Sequence, residues 1–319
     1  MKIFAYSVRP DEIGLFHRFS KKYDVVVDTT DRAPNLETAD MAAGHEAISI
    51  ITTPVDATLL RRFKELGIQY LSTRTVGFEH IDGIAADSLG IPYGNVAYSP
   101  YAVAEYAVML MLMSLRKVKT IFAKEKIQDY SLVATTGRQL HNQTVGVVGT
   151  GKIGRTVISI LQGFGCKIMA TDPYPNPELQ KTITYVPLQT LLSSCDVITL
   201  HVPASPDGNH LLGKNEFAGM KDGAVLINTA RGSLIDQQAL MDAVESGKIG
   251  AAALDVVQGE KALYYNDLRF KPIPDREFAT LHSYPNVIIT PHTAFHTDQA
   301  ISDMVENSIK TCIEHVGKA

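Results

Sequence analysis

"VVGTGKIGRTVISILQGFGCKIMATDPY", residues 147–174, runs from an apolar stretch through three glycines into a helical pattern, and its second apolar stretch closes on an acid. Strand, Gly149-x-Gly151-x-x-Gly154, helix, strand and a terminal Asp172, 18 residues beyond the third glycine, together form a βαβ unit of the dinucleotide-binding kind. Gly149 permits the tight turn, Gly151 lets the backbone approach a pyrophosphate at the helix N-terminus, and Gly154 lets helix and strand pack closely. Asp172 would accept hydrogen bonds from the adenosine ribose hydroxyls and repel a 2′-phosphate. Pro173 and Tyr174 supply no arginine for that phosphate, so NAD is favoured over NADP. A glycine-rich turn with no ligand is the competing reading.

Outward from this stretch, short apolar runs alternate with helix-length segments. "KIFAY", "DVVVD", "AISII" and "YLSTR" precede it, and "VITLHVP", "AVLINTA", "GAAALDV" and "VIITPH" follow. Continuous apolar strands spaced in this way indicate parallel sheets covered on both faces, and hence an α/β class. The chain's 319 residues favour two domains, each a doubly wound, Rossmann-like parallel sheet. Between the two strand series lies "SPYAVAEYAVMLMLMSLRKVKTIFAKEK", expected as one long helix from Pro100 to Phe122. The final "DQAISDMVENSIKTCIEHV" is helical by spacing and has nothing left to pair as a strand, so it is expected to pack back on the first series. The expected division is therefore residues 1–100 plus 296–319 for a discontinuous substrate-binding domain, and 101–295 for a nucleotide-binding domain.

Composition narrows the function. With 45% hydrophobic and 20% charged residues and a net charge of −4, the chain offers no broad basic surface for nucleic acid or anionic lipid. Small-molecule chemistry is the expectation. Cys166, Cys195 and Cys312 form no CxxC and leave one unpaired, which fits inert thiols in a reducing compartment. The first residues reach Arg9, Asp11 and Glu12 before a signal-peptide core forms, and the apolar residues 106–115 are too few to span a membrane. A cytoplasmic location is expected.

A bound dinucleotide does not name a reaction. Three strand ends beyond the glycine loop supply groups able to hold a carboxylate and move a proton: Arg231 in "INTARGSLID", Glu260 in "ALDVVQGE" and His292 in "NVIITPHTAFH". Taken singly, each is equally a solvated arginine, a surface carboxylate and a structural histidine. Taken together they are complementary, and all follow strands of the nucleotide half, outside whose carboxyl ends ligands bind. An alkoxide formed by hydride delivery needs a proton that a histidinium gives, a carboxylate beside the histidine orients it, and arginine offers a planar fork to a substrate carboxylate.

"VVGTGKIGRTVISILQGFG", "DVITLHVP", "MKDGAVLINTARGSLID", "AALDVVQGE" and "NVIITPHTAFHTDQA" resemble the signature segments of the D-isomer-specific 2-hydroxyacid dehydrogenases. "STRTVGFEHID" and "NVAYSPYAVAEYA" extend the resemblance into the first domain, towards the D-lactate dehydrogenase branch and its vancomycin-resistance relative. The resemblance implies NADH-dependent, reversible reduction of a small 2-oxo acid, pyruvate first, to the D-2-hydroxy acid in a cleft between the two domains. It implies that Arg231 binds the substrate's carboxylate and carbonyl, that His292 is the acid/base, and that Glu260 is its partner. Backbone N–H groups of Val76 and Gly77 would meet the substrate carboxylate, with Tyr98 beside it and Phe295 near the side-chain pocket. For the cofactor it implies Lys152 and Ile153 at the pyrophosphate, Asp172 at the ribose, and Val202, Pro203 and Asn209 along the adenosine. The nicotinamide end would meet Thr229, Ala230 and Asp255, the last accepting from the carboxamide. It also implies a homodimer through the nucleotide domains.

One departure bears on the substrate. Thr52, in "IITTPVD", stands where D-lactate dehydrogenases of this kind carry an aromatic residue, so longer 2-oxo acids, branched or aromatic, are the alternative to pyruvate. Two other readings compete. His292 and His296 stand four apart and could share a helix face as half of a metal site, but a lone pair at this spacing is a weak signal with no completed ligand set, and no metal is expected. A non-enzymatic NAD(H)-sensing partner protein would share the fold, but would not need Arg231, Glu260 and His292 together.

Overall fold

The computed structural model describes residues 1–205, 207–260 and 263–316. The chain divides into two units, Met1–Ser99 with His296–Ala319, and Pro100–Phe295. Residues 317–319, assigned to the first domain from sequence, lie outside the described residues.

The first unit holds β1 (Lys2–Ala5), α1 (Pro10–Tyr23), β2 (Val26–Thr29), β3 (Ala47–Ile50), α2 (Ala57–Glu65), β4 (Tyr70–Thr73), α3 (Gly83–Leu89) and β5 (Tyr93–Asn95). Its sheet is wholly parallel in the order β2-β1-β3-β4-β5. Central strands β3 and β4 are buried along their whole length, as their apolar runs require. The C-terminal segment forms α11 (Asp298–His315) within this unit, packed on α1, β3 and β4.

Under the sheet's carboxyl edge lies a fully buried ion pair. Arg74 gives Nε–H to Glu12 (2.9 Å), Nη1–H to the Ser49 hydroxyl (2.9 Å) and Nη2–H to the Tyr6 carbonyl (2.9 Å). Desolvating two charges is expensive, and this many hydrogen bonds is what makes the pair tolerable.

The second unit begins with α4 (Tyr101–Leu115) and α5 (Val118–Glu125). Then come β6 (Thr144–Val148), α6 (Lys152–Gln162), β7 (Lys167–Thr171), β8 (Thr184–Tyr185), α7 (Leu188–Ser194), β9 (Val197–Leu200), α8 (Lys214–Gly219) and β10 (Ala224–Asn228). α9 (Gln237–Glu245), β11 (Ile249–Leu254), α10 (Arg276–Ser283) and β12 (Val287–Ile289) complete it. The sheet is parallel in the order β12-β11-β10-β9-β6-β7-β8. The chain runs outward from β6 through β7 and β8, then returns to β9 on the other side of β6. That reversal opens a crevice at the carboxyl ends of β6 and β9.

The expected long helix is two helices. Lys117 takes a left-handed conformation (φ 54°), which ends α4, and the Leu115 carbonyl accepts from the Arg138 N–H (2.9 Å) instead of continuing a helical ladder. α4 is buried on most sides because it packs on α6, β10 and β11, whereas α5 leaves Ile121 and Phe122 exposed. Strands β5 and β8 escaped the sequence reading. They have three and two residues, lie at sheet edges, and lack the apolar run that marked the others.

α11 is tied to α1 by Glu306, whose carboxylate accepts from Lys22 Nζ (2.7 Å) and the Tyr23 hydroxyl (2.5 Å). The Lys22 bond, then the Tyr23 bond, bring its pKa from the ordinary 4.5 down to about 2. A folded-state pKa below the unfolded one stabilises the protein above pH 4.5, and that stabilisation disappears as pH falls from 4.5 to 2. Glu306→Gln is therefore expected to lower the melting temperature at pH 7. By calorimetry, the gap from wild type should narrow steadily below pH 4.5.

Candidate active site

The glycine loop has the shape a dinucleotide needs. Gly149 sits at φ +92°, where a Cβ would lie 2.5 Å from the His201 carbonyl oxygen, and a Cβ on Gly154 would lie 2.0 Å from the Gly149 oxygen. Neither position admits a side chain without moving backbone. Gly151 caps α6 with open space around it, and its neighbour Lys152 is exposed, while Ile153 is half-buried and packs inward. The first N–H groups of that helix have no intrahelical partner, which makes the spot receptive to an anion.

Asp172 ends β7 beside this loop. Its carboxylate accepts from the Thr150 N–H (2.6 Å), the Thr150 hydroxyl (3.0 Å) and the Tyr174 N–H (2.8 Å). Burial opposes its charge, but these donors outweigh it and hold the carboxyl below the usual range. Val202 and Pro203 follow β9, the first packed against the core and the second exposed; Asn209 lies further along that loop, exposed.

Three strand ends build the chemical edge. After β10, the buried Asn228 organises the turn: its Oδ1 accepts from the Ala230 N–H (3.0 Å) and its Nδ2 donates to the Arg231 carbonyl (2.8 Å). Thr229 is buried in this turn, and among the described residues its hydroxyl has no partner. Arg231 Nη1 donates to the Ala230 carbonyl (2.8 Å). A Cβ on Gly232 would lie 2.2 Å from the Val257 carbonyl, so only glycine lets the arginine turn lie against the loop after β11.

That loop carries Asp255, with no exposure, and Glu260. Asp255 Oδ1 accepts from the Thr290 hydroxyl (2.6 Å) and the Thr293 N–H (2.9 Å), and Oδ2 from the Ala294 N–H (2.9 Å). The His292 N–H donates to the Asp255 carbonyl (2.9 Å), and His292 itself adopts φ +52°, an unusual conformation for a non-glycine residue. This clamp sets the imidazole against Glu260: His292 Nδ1 and Glu260 Oε1 are 2.7 Å apart. Glu260 Oε2 accepts from the Val257 N–H (3.0 Å), which fixes the carboxylate in turn. Phe295 packs edge-on, its ring 6.2 Å from that of His292. Arg231, Glu260 and His292 thus sit on adjacent strand ends, after β10, β11 and β12.

Sequence reasoning missed Tyr265, whose hydroxyl donates to the His292 carbonyl (3.0 Å). It also missed the buried Tyr264, whose hydroxyl has no partner among the described residues. No motif marks either, since they follow Glu260 in an irregular segment. His296, the other half of the considered metal pair, bonds Asp11 (3.0 Å). No group of three His, Cys, Asp or Glu suited to a metal occurs among the described residues.

The first unit has its own carboxyl edge, where Thr52 follows β3, Val76 and Gly77 follow β4, and Tyr98 follows β5. The carbonyls of the β4 loop turn inward: that of Thr75 accepts from the Val96 N–H (3.0 Å), that of Gly77 from the Thr75 hydroxyl (2.5 Å), and that of Val76 from Asn95 Nδ2. The N–H groups of Val76 and Gly77 have no partner among the described residues. Thr52 is exposed and Tyr98 half-buried, its loop pinned by Asn307 Nδ2 on the Ala97 carbonyl (2.7 Å).

Residues 108–294 match the family model of the D-isomer specific 2-hydroxyacid dehydrogenase NAD-binding domain. A D-specific alpha-keto acid dehydrogenase of Enterococcus faecium is 42% identical, across 98% of this chain and 96% of its own. A D-lactate dehydrogenase of Lactiplantibacillus plantarum is 40% identical, across 100% and 98%. The solved structure of a D-2-hydroxyisocaproate dehydrogenase superposes with a TM-score of 0.92 at 36% identity, covering 100% of this chain and 97% of that one.

Gly154→Ala tests the cradle. The added Cβ collides with the Gly149 carbonyl, so NADH affinity measured by fluorescence titration is expected to fall at least tenfold. Unchanged affinity would mean that the loop does not carry the phosphates.

Proposed function

This chain belongs to the D-isomer-specific 2-hydroxyacid dehydrogenases, NAD-dependent oxidoreductases, and from that premise we propose that it reduces small 2-oxo monocarboxylic acids, pyruvate included, to their D-2-hydroxy acids. The observation that carries this reading is the Glu260–His292 pair, set by the Asp255 clamp one strand from Arg231. Bound NADH supplies the hydride. Arg231 holds the substrate's carboxylate and carbonyl oxygen, and histidinium at position 292 gives the proton that the nascent alkoxide requires. Nδ1–H directed at Glu260 leaves Nε2 as the nitrogen that exchanges the proton with substrate. In the oxidative direction the same imidazole takes the hydroxyl proton.

Other roles are part of the same proposal. The glycine loop with Lys152 and Ile153 takes the pyrophosphate, Asp172 the ribose, and Val202, Pro203 and Asn209 the adenosine side. The Thr229 hydroxyl, without a partner among the described residues, supports a place for Thr229 and Ala230 beside the nicotinamide. Asp255 has only limited capacity left for a carboxamide, because its oxygens already accept three bonds. The N–H pair of Val76 and Gly77, held by inward carbonyls, is suited to a carboxylate, with Tyr98 at its side.

A second reading concerns chain length. Thr52 is short and exposed, which favours acceptance of branched or aromatic 2-oxo acids beyond pyruvate, and Phe295 would border their side chains. Each added methylene in an apolar pocket changes affinity by about 1–3 kcal/mol, so several acids are expected to turn over. Exposed Ile121, Phe122, Ile127, Tyr130, Leu132 and Val133 in the second unit support a homodimer through that unit. Among the described residues no helix is long and apolar enough to cross a membrane, and three free cysteines fit a cytoplasmic location.

Two variants separate the roles. His292→Ala is expected to cut kcat by roughly 10²–10⁴-fold, with NADH affinity nearly unchanged. Asp172→Ala should weaken NADH at least tenfold while keeping most of kcat at saturation. The reverse pattern would mean that the roles are misassigned. Initial rates with pyruvate, 4-methyl-2-oxopentanoate and phenylpyruvate then rank the substrates: a lead for pyruvate identifies a D-lactate dehydrogenase, and a lead for the others a longer-chain reductase.

A further inference from the structure

Asp172 is held by more than its own loop. β8, at the edge of the second unit's sheet, ends on Tyr185, which lies beside Ala170 of β7. The Tyr185 hydroxyl crosses the end of β7 and meets the Thr150 hydroxyl at 3.0 Å, in the glycine loop after β6. Thr150 is buried, and its hydroxyl also lies 3.0 Å from Asp172 Oδ2. On its other side the Tyr185 oxygen accepts from the Asn176 N–H (3.2 Å), in the segment that follows Asp172.

The protons give this chain of hydroxyls one direction. An ionised carboxylate has no proton to give, so the Thr150 hydroxyl donates to Asp172. Its single proton is then spent, and towards Tyr185 it can only accept. Tyr185 in turn gives its proton to Thr150 and accepts from Asn176. Each member is satisfied, and each bond polarises the next towards the carboxylate.

The same bonds decide which carboxylate oxygen is left for a ligand. Oδ2 accepts from both the N–H (2.6 Å) and the hydroxyl of Thr150, which fills it. Among the described residues Oδ1 accepts from the Tyr174 N–H alone (2.8 Å), so it keeps room for one more donor. Rotation of the carboxylate would break the bonds at Oδ2, and the negative charge is thereby fixed at the end of β7. A fixed charge repels a 2′-phosphate at full strength, whereas one free to turn aside does not.

We propose that Thr150 and Tyr185 are positioning residues for the choice of cofactor: they hold the Asp172 carboxylate in one orientation, with Oδ1 left to a ribose hydroxyl, and so sustain the preference for NADH over NADPH. Both act through the aspartate, so their role depends on Asp172 taking the ribose.

The test is a set of fluorescence titrations of the full chain with NADH and with NADPH, read as the ratio of the two dissociation constants. Thr150→Val keeps the backbone N–H and the side-chain shape, and is expected to narrow the preference for NADH about tenfold, the worth of one hydrogen bond to a charged group. Tyr185→Phe should narrow it in the same direction by less, and Thr150→Ser, which keeps the hydroxyl, should retain it. In an Asp172→Ala background, Thr150→Val should change the ratio no further, because its target is gone. The proposal is overturned if Asp172→Ala loses the preference while Thr150→Val or Tyr185→Phe keeps it, or if Thr150→Val narrows the ratio as much without Asp172. An equal loss of both cofactors in Thr150→Val also overturns it, since that marks a general change in the loop. If Asp172→Ala itself keeps the preference, the ribose assignment fails first and takes this role with it.

Discussion

A carboxylate without solvent exposure, Asp255, fixes the course of the segment that carries His292. Burying such a charge costs several kcal/mol unless donors surround it. Here the donors are the Thr290 hydroxyl and the N–H groups of Thr293 and Ala294, so the segment that carries His292 has little choice of course. The left-handed backbone at His292 follows from that closure, and the imidazole is delivered to Glu260 with its Nδ1 already engaged. The orientation of the His292 imidazole thus rests on an aspartate one strand away.

A second constraint is steric. Gly149, Gly154 and Gly232 each occupy points where a Cβ would meet backbone at 2.5 Å or less. The first two set the entry into α6, and the third lays the arginine turn against the loop that ends at Glu260. Glycine at these points works through close approach of main chain to main chain, which no alternative residue reproduces.

Much of this was legible in the sequence, because parallel buried strands leave unbroken apolar runs and because ligand-binding loops follow their carboxyl ends. Asp172, Arg231, Glu260 and His292 were visible as polar residues at such ends. The break at Lys117 was not, since a lysine carries no signal for φ 54° and the apolar spacing continues past it. Nor were β5 and β8, where edge pairing rather than hydrophobic pattern defines the strand. Asp255 read from sequence as a cofactor ligand, while its three inward bonds depend on residues 290–294, whose proximity only the folded sheet creates. That the Thr229 hydroxyl has no partner among the described residues is likewise a property of the folded turn, invisible in the letters "NTARG".

Arg231, Glu260 and His292 are proposed to serve stereospecific reduction of a 2-oxo acid by NADH. The most direct measurement is a single turnover of stoichiometric NADH with pyruvate and, separately, with 4-methyl-2-oxopentanoate, the products resolved by chiral chromatography; NADH left unoxidised counts against the reading only if it is left so by both. One equivalent of the D-2-hydroxy acid is expected per NADH oxidised. The L-isomer, a racemic product, or NADH that stays bound and unoxidised with both acids would contradict that reading.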